Sequence, residues 1–322
     1  MNYNYVMFGN TADFFRISWS EITQLKNVIY RDEGIDCKNR FFKNLYRLHT
    51  SPKTNKIMPL PFKRIWNKYA FRGKFDNDKP ICFLFYPRSR WLENGIIKYL
   101  RKQYENCKIG IVFQDLVKRS YPNDIEQLQK KVDFCLSFDN DDVKNYNMIY
   151  YPLVYSKTEV EDDDSISSSD VYFVGKAKDR LEKILAVYEK LRSEGLKCDF
   201  YLTGVDEQDQ KYTDEITYGR QMPYKQNLKH IKKTKVLLEI MQGGGKGYTL
   251  RACEAVAYGK KLLSDNSEIE KVPFYNSDYI SKFVDLDSID IDFIKKDVGE
   301  IDYNYVEEFS PKKLIEFLDG TL

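Results

Sequence analysis

The residues best suited to chemistry surround a glycine-rich loop that joins an apolar strand to a helix. They lie in the stretch LLEIMQGGGKGYTLRACEAVAYGKKLL, residues 237–263. Glycines let a backbone approach a ligand closely, and the first turn of a helix offers unpaired N–H groups with a partial positive charge. Arg251 and Glu254, three residues apart on one helical face, supply a cation for a phosphate and a carboxylate for the two hydroxyls of a ribose. The pattern predicts a nucleotide-diphosphate site. The alternative is a surface connection in which Arg251 and Glu254 simply pair with each other.

A second turn carries cations that suit the same ligand. In VYFVGKAKDRLEKIL, residues 171–185, a strand and a glycine lead into a helix, with Lys176, Lys178 and Arg180 in the turn. These side chains are suited to the opposite side of a diphosphate. A solvated start of a helix has the same composition and is the alternative.

A third loop, GRQMPY at residues 219–224, precedes another helical pattern. Its backbone from Gln221 onward is suited to the edge of a nucleotide base, and Tyr224 is suited to stacking on that base. Met222 is equally well explained by packing in the core.

Strands and helices alternate around these loops. Apolar runs and amphipathic stretches predict strands at 3–8, 81–86, 109–113, 134–138, 171–174, 199–203, 236–240 and 261–263, and helices at 92–104, 124–132, 180–194, 224–234 and 249–258. Such alternation predicts an α/β protein with parallel sheets, whose ligands bind beyond the carboxyl ends of the strands.

The alternation is interrupted once, by an acidic and serine-rich stretch with almost nothing to bury. This interruption predicts two domains in tandem. The expected boundaries are 1–155 for the first domain, 156–170 for a linker, 171–300 for the second domain, and 301–322 for a C-terminal helix.

Composition excludes several classes of protein. The 322 residues are 42% hydrophobic, which is enough to build folded cores, so a disordered tail protein is excluded. The formal net charge of +2 lacks the basic excess of a dedicated nucleic-acid binder, which predicts that nucleic acid is not a partner. The six cysteines are scattered without zinc spacing, and no apolar run approaches the ~18 residues of a membrane span. Reduced thiols and a cytoplasmic location are expected.

The motifs FVGKAKDR, YLTGV, MPYKQNL and LLEIMQGGGKGYTLRACEAVAYGKKLLSDN, in this order, resemble the C-terminal donor-binding half of GT-B glycosyltransferases. The likeness is greatest to bacterial capsular and lipopolysaccharide biosynthesis transferases. It is good over residues 168–285, weaker over 80–155 and faint over 1–75. It implies two Rossmann-like domains facing a cleft, with the acceptor bound by the N-terminal domain, residues 1–155, and a nucleotide-diphosphate sugar donor bound by the C-terminal domain, residues 171–300. It also implies that the helix of residues 301–322 packs back on the N-terminal domain. UDP is favoured because it is the commonest donor nucleotide of the resembling group.

The resemblance also implies roles for individual residues. The glutamate of the EAVAYG helix, Glu254, would bind the donor ribose. Retaining members often carry another glutamate eight residues earlier, where this chain has Lys246, so the anomeric outcome stays open. Lys246 would instead face the diphosphate and stabilise the leaving group without a metal ion. The residues assigned to the donor are Lys176, Arg180, Gln221, Met222, Tyr224, Gly244, Gly245, Lys246, Gly247, Tyr248, Thr249, Arg251 and Glu254.

An inverting transferase also needs a base that takes the proton of the acceptor hydroxyl. Asp13 and Asp115 each follow a predicted strand and are the first and second candidates, the alternative being a helix-capping or loop carboxylate. His49 and His230 do not follow strands and are not expected to be catalytic. The triplet from Asp139 to Asp141 has the oxygen ligands that Mg²⁺ or Mn²⁺ prefers, but it also suits a helix N-cap, and no metal site is predicted.

Residues 38–74 combine eleven Lys or Arg residues with seven aromatic side chains and no Asp or Glu. This composition is typical of a membrane interface, and a lipid-linked acceptor would supply both an anion and a bilayer. A basic surface helix with its aromatic side chains in the core is the alternative.

The function expected from these features is transfer of a sugar, as by a hexosyltransferase, to a polysaccharide or lipid-linked oligosaccharide of a bacterial surface glycan. No cofactor and no metal ion is expected to be required. A non-catalytic module that binds a nucleotide sugar or glycan, and an epimerase of nucleotide sugars on the same fold, are the alternatives. The expected location is the cytoplasm, including the inner face of the membrane.

Overall fold

A computed structural model describes residues 1–9, 12–31, 34–121, 124–243 and 247–322. The chain forms two compact units. The first unit consists of Met1–Ser156 and Ser310–Leu322, and the second unit of Lys157–Phe309.

The first unit is built on a parallel sheet of six strands in the order β2-β1-β3-β4-β5-β6. The strands are β1 (Asn4–Phe8), β2 (Val28–Arg31), β3 (Ile81–Phe85), β4 (Lys108–Phe113), β5 (Phe134–Ser137) and β6 (Ile149–Tyr150). The helices are α1 (Asp13–Ser18), α2 (Arg40–Thr50), α3 (Pro52–Ile57), α4 (Arg90–Glu93), α5 (Ile96–Gln103), α6 (Val117–Ser120), α7 (Ile125–Gln129) and α8 (Asn140–Tyr146).

Both faces of this sheet are covered, which is why its strands are almost continuously apolar. Along β1, Val6 and Phe8 point into one core layer, where Phe8 stacks on Phe85 at 4.5 Å between ring centroids. Tyr5 and Met7 point into the other layer. The sequence predicts the apolar strands correctly because burial on both faces leaves a signal at every residue.

The second unit repeats this plan with the strand order β12-β11-β10-β7-β8-β9, again fully parallel. Its strands are β7 (Ser169–Lys176), β8 (Cys198–Thr203), β9 (Thr217–Gly219), β10 (Thr234–Glu239), β11 (Lys261–Ser264) and β12 (Ile280–Lys282). Its helices are α9 (Leu181–Ser193), α10 (Tyr224–Lys233), α11 (Leu250–Ala257) and α12 (Ile291–Lys295). Two Rossmann-like α/β domains, as predicted, are therefore present.

The last helix, α13 (Pro311–Thr321), belongs to the first unit. Its side chains Leu314, Ile315 and Leu318 are fully buried in the core layer that also contains Tyr5. The Asp319 carboxylate accepts hydrogen bonds from the backbone N–H of Asn2 at 2.5 Å and from the Tyr5 hydroxyl at 3.2 Å. The two ends of the chain are thus joined in one unit.

The predicted helix over 92–104 is wrong in one respect, because it is divided into α4 and α5. Gly95, between them, has φ +73° and belongs to the left-handed region that glycine adopts most readily. The buried residues Ile96, Ile97 and Leu100, which carry the apolar periodicity, all lie in α5, so that periodicity does not reveal the interruption before it.

Helix α11 ends in a Schellman motif. The N–H of Gly259 donates to the Val256 carbonyl at 3.4 Å, and the N–H of Lys260 donates to the Ala255 carbonyl at 2.9 Å. Gly259 has φ +58°, and a Cβ there would lie 2.7 Å from the Ile301 carbonyl oxygen. The glycine of EAVAYG is therefore explained by helix termination.

Gly259→Ala is expected to lower the free energy of unfolding by about 2 kcal/mol or more, because the left-handed conformation and the close carbonyl both oppose a Cβ. Urea unfolding followed by circular dichroism measures the change. Gly195→Ala is the matched control: Gly195 has φ +77° but nothing within 4 Å of its Cβ position, so we expect about 1 kcal/mol. Equal losses in the two variants would contradict the role of the Ile301 contact.

Candidate functional site

The strand order of the second unit indicates where a ligand is expected to bind. From β7 the chain proceeds outward through β8 and β9, and then returns to the other side of β7 for β10, β11 and β12. The order reverses between β7 and β10, and open α/β sheets bind ligands beyond the carboxyl ends of the strands at such a point. The loops that follow β7 and β10 are therefore the expected walls of the site.

The loop after β7 presents its cations around this point. Lys176, the last residue of β7, is exposed. Lys178 has φ +48°, and its Nζ donates to Gln242 Oε1 in the loop after β10 at 2.7 Å. The guanidinium of Arg180 donates to the carbonyl oxygens of Lys176 and Ile240. The two loops are thus connected by hydrogen bonds from Lys178 and Arg180.

Arg180 is held in a partly apolar environment. Its guanidinium carbon lies 5.6 Å from the centroid of the Phe173 ring, and burial lowers the pKa of the guanidinium from its ordinary value. Its Nε is buried without a hydrogen-bond partner among the described residues. A donor in this state is suited to an anionic ligand oxygen.

The glycine loop is described only at its ends. Gly243 is exposed and Gly247 is half-buried, and Asn266 Nδ2 donates to the Gly247 carbonyl oxygen at 3.3 Å. The predicted donor residues Gly244, Gly245 and Lys246 lie outside the described residues.

The start of α11 is fixed by Thr249 and by a buried glutamate. Thr249 is the N-cap, and its Oγ1 accepts the N–H of Arg251 at 3.1 Å. The same hydroxyl donates to the carboxylate of Glu239, the last residue of β10, and Ser264 at the end of β11 donates to the other oxygen. Burial raises the pKa of Glu239, against the two hydroxyl hydrogen bonds, which lower it. Glu239 thus joins the ends of β10 and β11 to the start of α11 through hydrogen bonds.

Glu254 lies at the centre of a buried polar cluster and is 1% exposed. Its Oε1 accepts hydrogen bonds from the Tyr224 hydroxyl at 2.7 Å and from Asn227 Nδ2 at 2.9 Å. The Tyr172 hydroxyl on β7 in turn donates to Asn227 Oδ1 at 3.0 Å. The cluster therefore joins α11 to α10 and to the central strand of the sheet.

The second oxygen of Glu254 has a different environment. Arg251 Nη1 lies 2.6 Å from Oε2 as an ion pair, yet both atoms are buried and neither has hydrogen-bond geometry with any described group. Arg251 also donates from Nη2 to the Val174 carbonyl on β7 at 3.4 Å, and its guanidinium carbon lies 5.7 Å from the centroid of the Tyr172 ring. Oε2 keeps the capacity to accept from a ligand hydroxyl, and Nη1 keeps the capacity to donate to a phosphate oxygen.

The residues predicted to contact the nucleotide base differ in their exposure and contacts. Gln221 is exposed, and Met222 is half-buried with its sulfur 3.9 Å from the Tyr172 hydroxyl. The Tyr224 ring is buried and its hydroxyl donates to Glu254, which favours a role in orienting that carboxylate over stacking on a base. Tyr248 is also buried and packs edge-on against Phe274 at 5.2 Å.

Sequence reasoning did not identify Tyr172, Asn227 or Glu239. Asn227 follows Tyr224 by three residues on α10, so it shares a helical face with a residue that was predicted. Glu239 ends a buried apolar strand, where a charged side chain is unusual. The helical spacing of Asn227 and the charge of Glu239 at the end of an apolar run are both visible in the sequence.

In the first unit the strand order reverses between β1 and β3. Asp13 is exposed at the first position of α1, shortly after β1, and its carboxylate accepts the N–H of Phe14 at 2.9 Å. Asp115 is exposed two residues after β4 and accepts the N–H of Leu116 at 2.9 Å. Both candidate bases therefore follow strands at the carboxyl edge of the sheet, and Asp13 adjoins the strand where the order reverses.

The remaining candidates have structural contacts. Asp139 caps α8 by accepting the N–H groups of Asp141 and Asp142 at 3.0 Å each, so the N-cap interpretation of the triplet is confirmed. His49 accepts a hydrogen bond from Trp66 Nε1 at 2.9 Å, and His230 Nδ1 lies 2.6 Å from Asp199 Oδ2. Among the described residues, no helix has the length and apolarity needed to cross a membrane.

Comparison with known proteins identifies the fold. No model of a protein family matches the sequence, and no curated protein matches it by sequence. Solved structures do match. An α-glucosyltransferase in complex with UDP and a 13-mer DNA has a TM-score of 0.60 at 11% identity over 98% of each chain. The UDP-GlcNAc 2-epimerase of Methanocaldococcus jannaschii, in complex with UDP-GlcNAc and UDP, has a TM-score of 0.52 at 10% identity over 99% of each chain.

The trehalose 6-phosphate synthase of Burkholderia multivorans has a TM-score of 0.50 at 10% identity, over 96% of this chain and 91% of the other. Together these structures show that this chain has the GT-B fold of two Rossmann-like domains, as the motifs predicted. A second α-glucosyltransferase structure with DNA, at a TM-score of 0.56 and 12% identity, also matches. The prediction that nucleic acid is not a partner therefore has no support from the fold.

Proposed function

We propose that this chain transfers a sugar from a nucleotide-diphosphate donor to a polysaccharide or lipid-linked oligosaccharide acceptor in bacterial surface glycan synthesis. The observation that supports it most directly is the buried pair of Arg251 and Glu254 beside the reversal of strand order. Glu254 Oε2 would accept from a ribose hydroxyl, and Arg251 Nη1 would donate to the diphosphate. These two adjoining atoms, one anionic and one cationic, have no hydrogen-bond partner among the residues that the structure describes, which suits a ligand that has a sugar next to a phosphate.

In the proposed reaction the bond between the sugar carbon and the diphosphate oxygen breaks, and the acceptor oxygen forms a bond to the same carbon. The departing diphosphate gains negative charge at the broken bond. Lys176, Arg180, Lys246 and Arg251 would stabilise that charge, so the reaction is proposed to need no metal ion. For an inverting reaction, Asp13 would take the proton that the acceptor hydroxyl loses.

Isothermal titration of the full chain with UDP, GDP, CDP and ADP, each in the presence and in the absence of Mn²⁺, tests the donor site. We expect one nucleoside diphosphate to bind with the same affinity whether or not Mn²⁺ is present, and UDP is the favoured candidate. A requirement for Mn²⁺ would overturn the metal-independent mechanism. Failure of all four nucleotides to bind would overturn the proposed donor site.

Epimerisation of a nucleotide sugar is the second candidate, since the UDP-GlcNAc 2-epimerase with a TM-score of 0.52 shares the fold. The two reactions differ in their products. An epimerase converts the nucleotide sugar without an acceptor and keeps the diphosphate attached, whereas a transferase releases the nucleoside diphosphate. Chromatography of the products after incubation without acceptor distinguishes them.

A further inference from the structure

The first unit exposes a group of large apolar side chains within a short part of the chain. Twelve such side chains are exposed among the described residues, and eight of them lie between positions 41 and 65. These eight are Phe41, Phe42, Leu45, Leu48, Ile57, Met58, Phe62 and Ile65. Together with the cations of residues 38–74 they define what we call the basic-apolar surface.

Helix α2 presents part of this surface in a fixed orientation. Phe41, Leu45 and Leu48 follow a spacing of four and three residues, which places them in one stripe along the helix. Tyr46 is buried on the other side, where its ring stacks on that of Trp91 at 5.3 Å between centroids. The helix is therefore held by its inner face, while an apolar stripe faces outward.

Phe62 extends the surface from a neighbouring turn. Its ring is 79% exposed, although its backbone has φ +61°, a conformation that is unfavourable for a bulky residue. The turn is held by hydrogen bonds: His49 Nε2 lies 2.7 Å from the Pro61 carbonyl oxygen, and Trp66 Nε1 donates to His49 Nδ1 at 2.9 Å. A buried tryptophan thus supports a turn that projects Phe62 into solvent.

The charge of the surface has a single sign. Residues 38–74 contain eleven Lys or Arg residues and no Asp or Glu. Within the described chain, none of the charged side-chain groups of these cations lies within 4.0 Å of a carboxylate oxygen, although Asp36, which precedes the segment, accepts the backbone N–H of Arg72 at 3.2 Å. Ten of the eleven are exposed, and Lys63 is half-buried. The aromatic side chains of this segment divide between core and surface, because Tyr46, Trp66 and Phe71 are buried in the core while Phe41, Phe42 and Phe62 are exposed.

We propose that the basic-apolar surface docks on the headgroup region of a bilayer that contains anionic lipids. Such a bilayer attracts the cations and accepts the apolar side chains at the boundary of its acyl chains, so it accounts for both halves of the surface. Nucleic acid would account for the cations but would leave eight apolar side chains in water. A second copy of the chain would bring two surfaces of the same charge together. The proposal does not depend on the proposed sugar transfer.

Flotation of the full chain with vesicles tests the proposal. We expect the protein to float with vesicles of equal parts phosphatidylcholine and phosphatidylglycerol, and to bind vesicles of phosphatidylcholine alone at least tenfold more weakly. The triple variant Phe41→Ser, Leu48→Ser and Phe62→Ser should bind the anionic vesicles at least tenfold more weakly than the wild type. Replacing Arg40, Lys43 and Arg47 with Gln should reduce binding by about 100-fold.

The matched control is the double variant Val284→Ser and Leu286→Ser, which removes exposed apolar side chains of the second unit. It should bind like the wild type, and circular dichroism confirms that each variant is folded. Absence of wild-type binding to anionic vesicles would overturn the proposal, as would equal losses in the control and the apolar variant. Tight binding of duplex DNA, unchanged in the apolar variant and competing with vesicles, would assign the surface to nucleic acid instead.

Discussion

Glu254→Ala is expected to lower the free energy of unfolding of the second unit by about 3–5 kcal/mol. The substitution removes a buried carboxylate and leaves the guanidinium of Arg251, whose side chain is 14% exposed, without its anionic partner. It also leaves the Tyr224 hydroxyl and Asn227 Nδ2 without the acceptor that both now share. Nucleotide affinity should fall with it, because the same carboxylate is proposed to hold the ribose.

The tryptophans allow this loss to be assigned to one unit. All three, Trp19, Trp66 and Trp91, lie in the first unit. In urea unfolding, circular dichroism should therefore show the loss for Glu254→Ala, whereas tryptophan fluorescence should report a first-unit transition that is nearly unchanged.

Two further variants serve as controls for this experiment. Glu182→Ala removes an exposed carboxylate from α9 in the same unit and should change stability by less than about 0.5 kcal/mol. Glu254→Gln keeps the size of the side chain and an acceptor for Tyr224 but loses the ion pair, so we expect an intermediate loss of about 1–3 kcal/mol. A Glu254→Ala variant as stable as the wild type would show that the cluster does not hold α10 and α11 to the sheet.

The sequence places Arg251 and Glu254 on one helical face, with their pairing as the alternative to ligand binding, but it does not predict the buried surroundings of the pair. Helical spacing places the two side chains on one face, and this local geometry needs no knowledge of the fold. The hydrogen-bond network around Glu254 includes Asn227 of α10, which bonds Glu254, and Tyr172 of β7, which bonds Asn227; both elements are distant from α11 in sequence. The sequence shows that Asn227 shares a helical face with Tyr224, but it contains no direct signal for the contact of α10 with α11, which is set by packing against the sheet.

The same distinction applies to the strands. Central strands such as β1, β3 and β10 are buried on both faces, and their apolar runs predict them well. The strands that no apolar run indicated, β2, β6, β9 and β12, have four, two, three and three residues and are only partly buried. They form because a neighbouring strand provides hydrogen-bond partners, and pairing of that kind is decided by the tertiary structure.

Asp13→Asn is expected to reduce the rate of sugar transfer by about 100- to 10,000-fold while leaving the affinity for the nucleotide unchanged, if the reaction inverts the anomeric centre. The amide keeps the shape of the side chain and can still accept the N–H of Phe14, so the start of α1 should be preserved. It does not accept a proton, however, and the acceptor hydroxyl would then have no base. Asp13 follows β1, where the strand order of the first unit reverses, and this position favours it over Asp115.

The measurement is the release of nucleoside diphosphate from the nucleotide sugar, combined with titration of the nucleotide into each variant. Asp115→Asn is the matched control, because it removes an exposed carboxylate that also follows a strand of the same sheet and also accepts a neighbouring N–H. We expect its rate to stay close to that of the wild type. A large loss in Asp115→Asn alone would transfer the role of base to Asp115. Full activity in both variants would show that neither carboxylate takes the proton, as in a retaining reaction in which the leaving diphosphate itself accepts it.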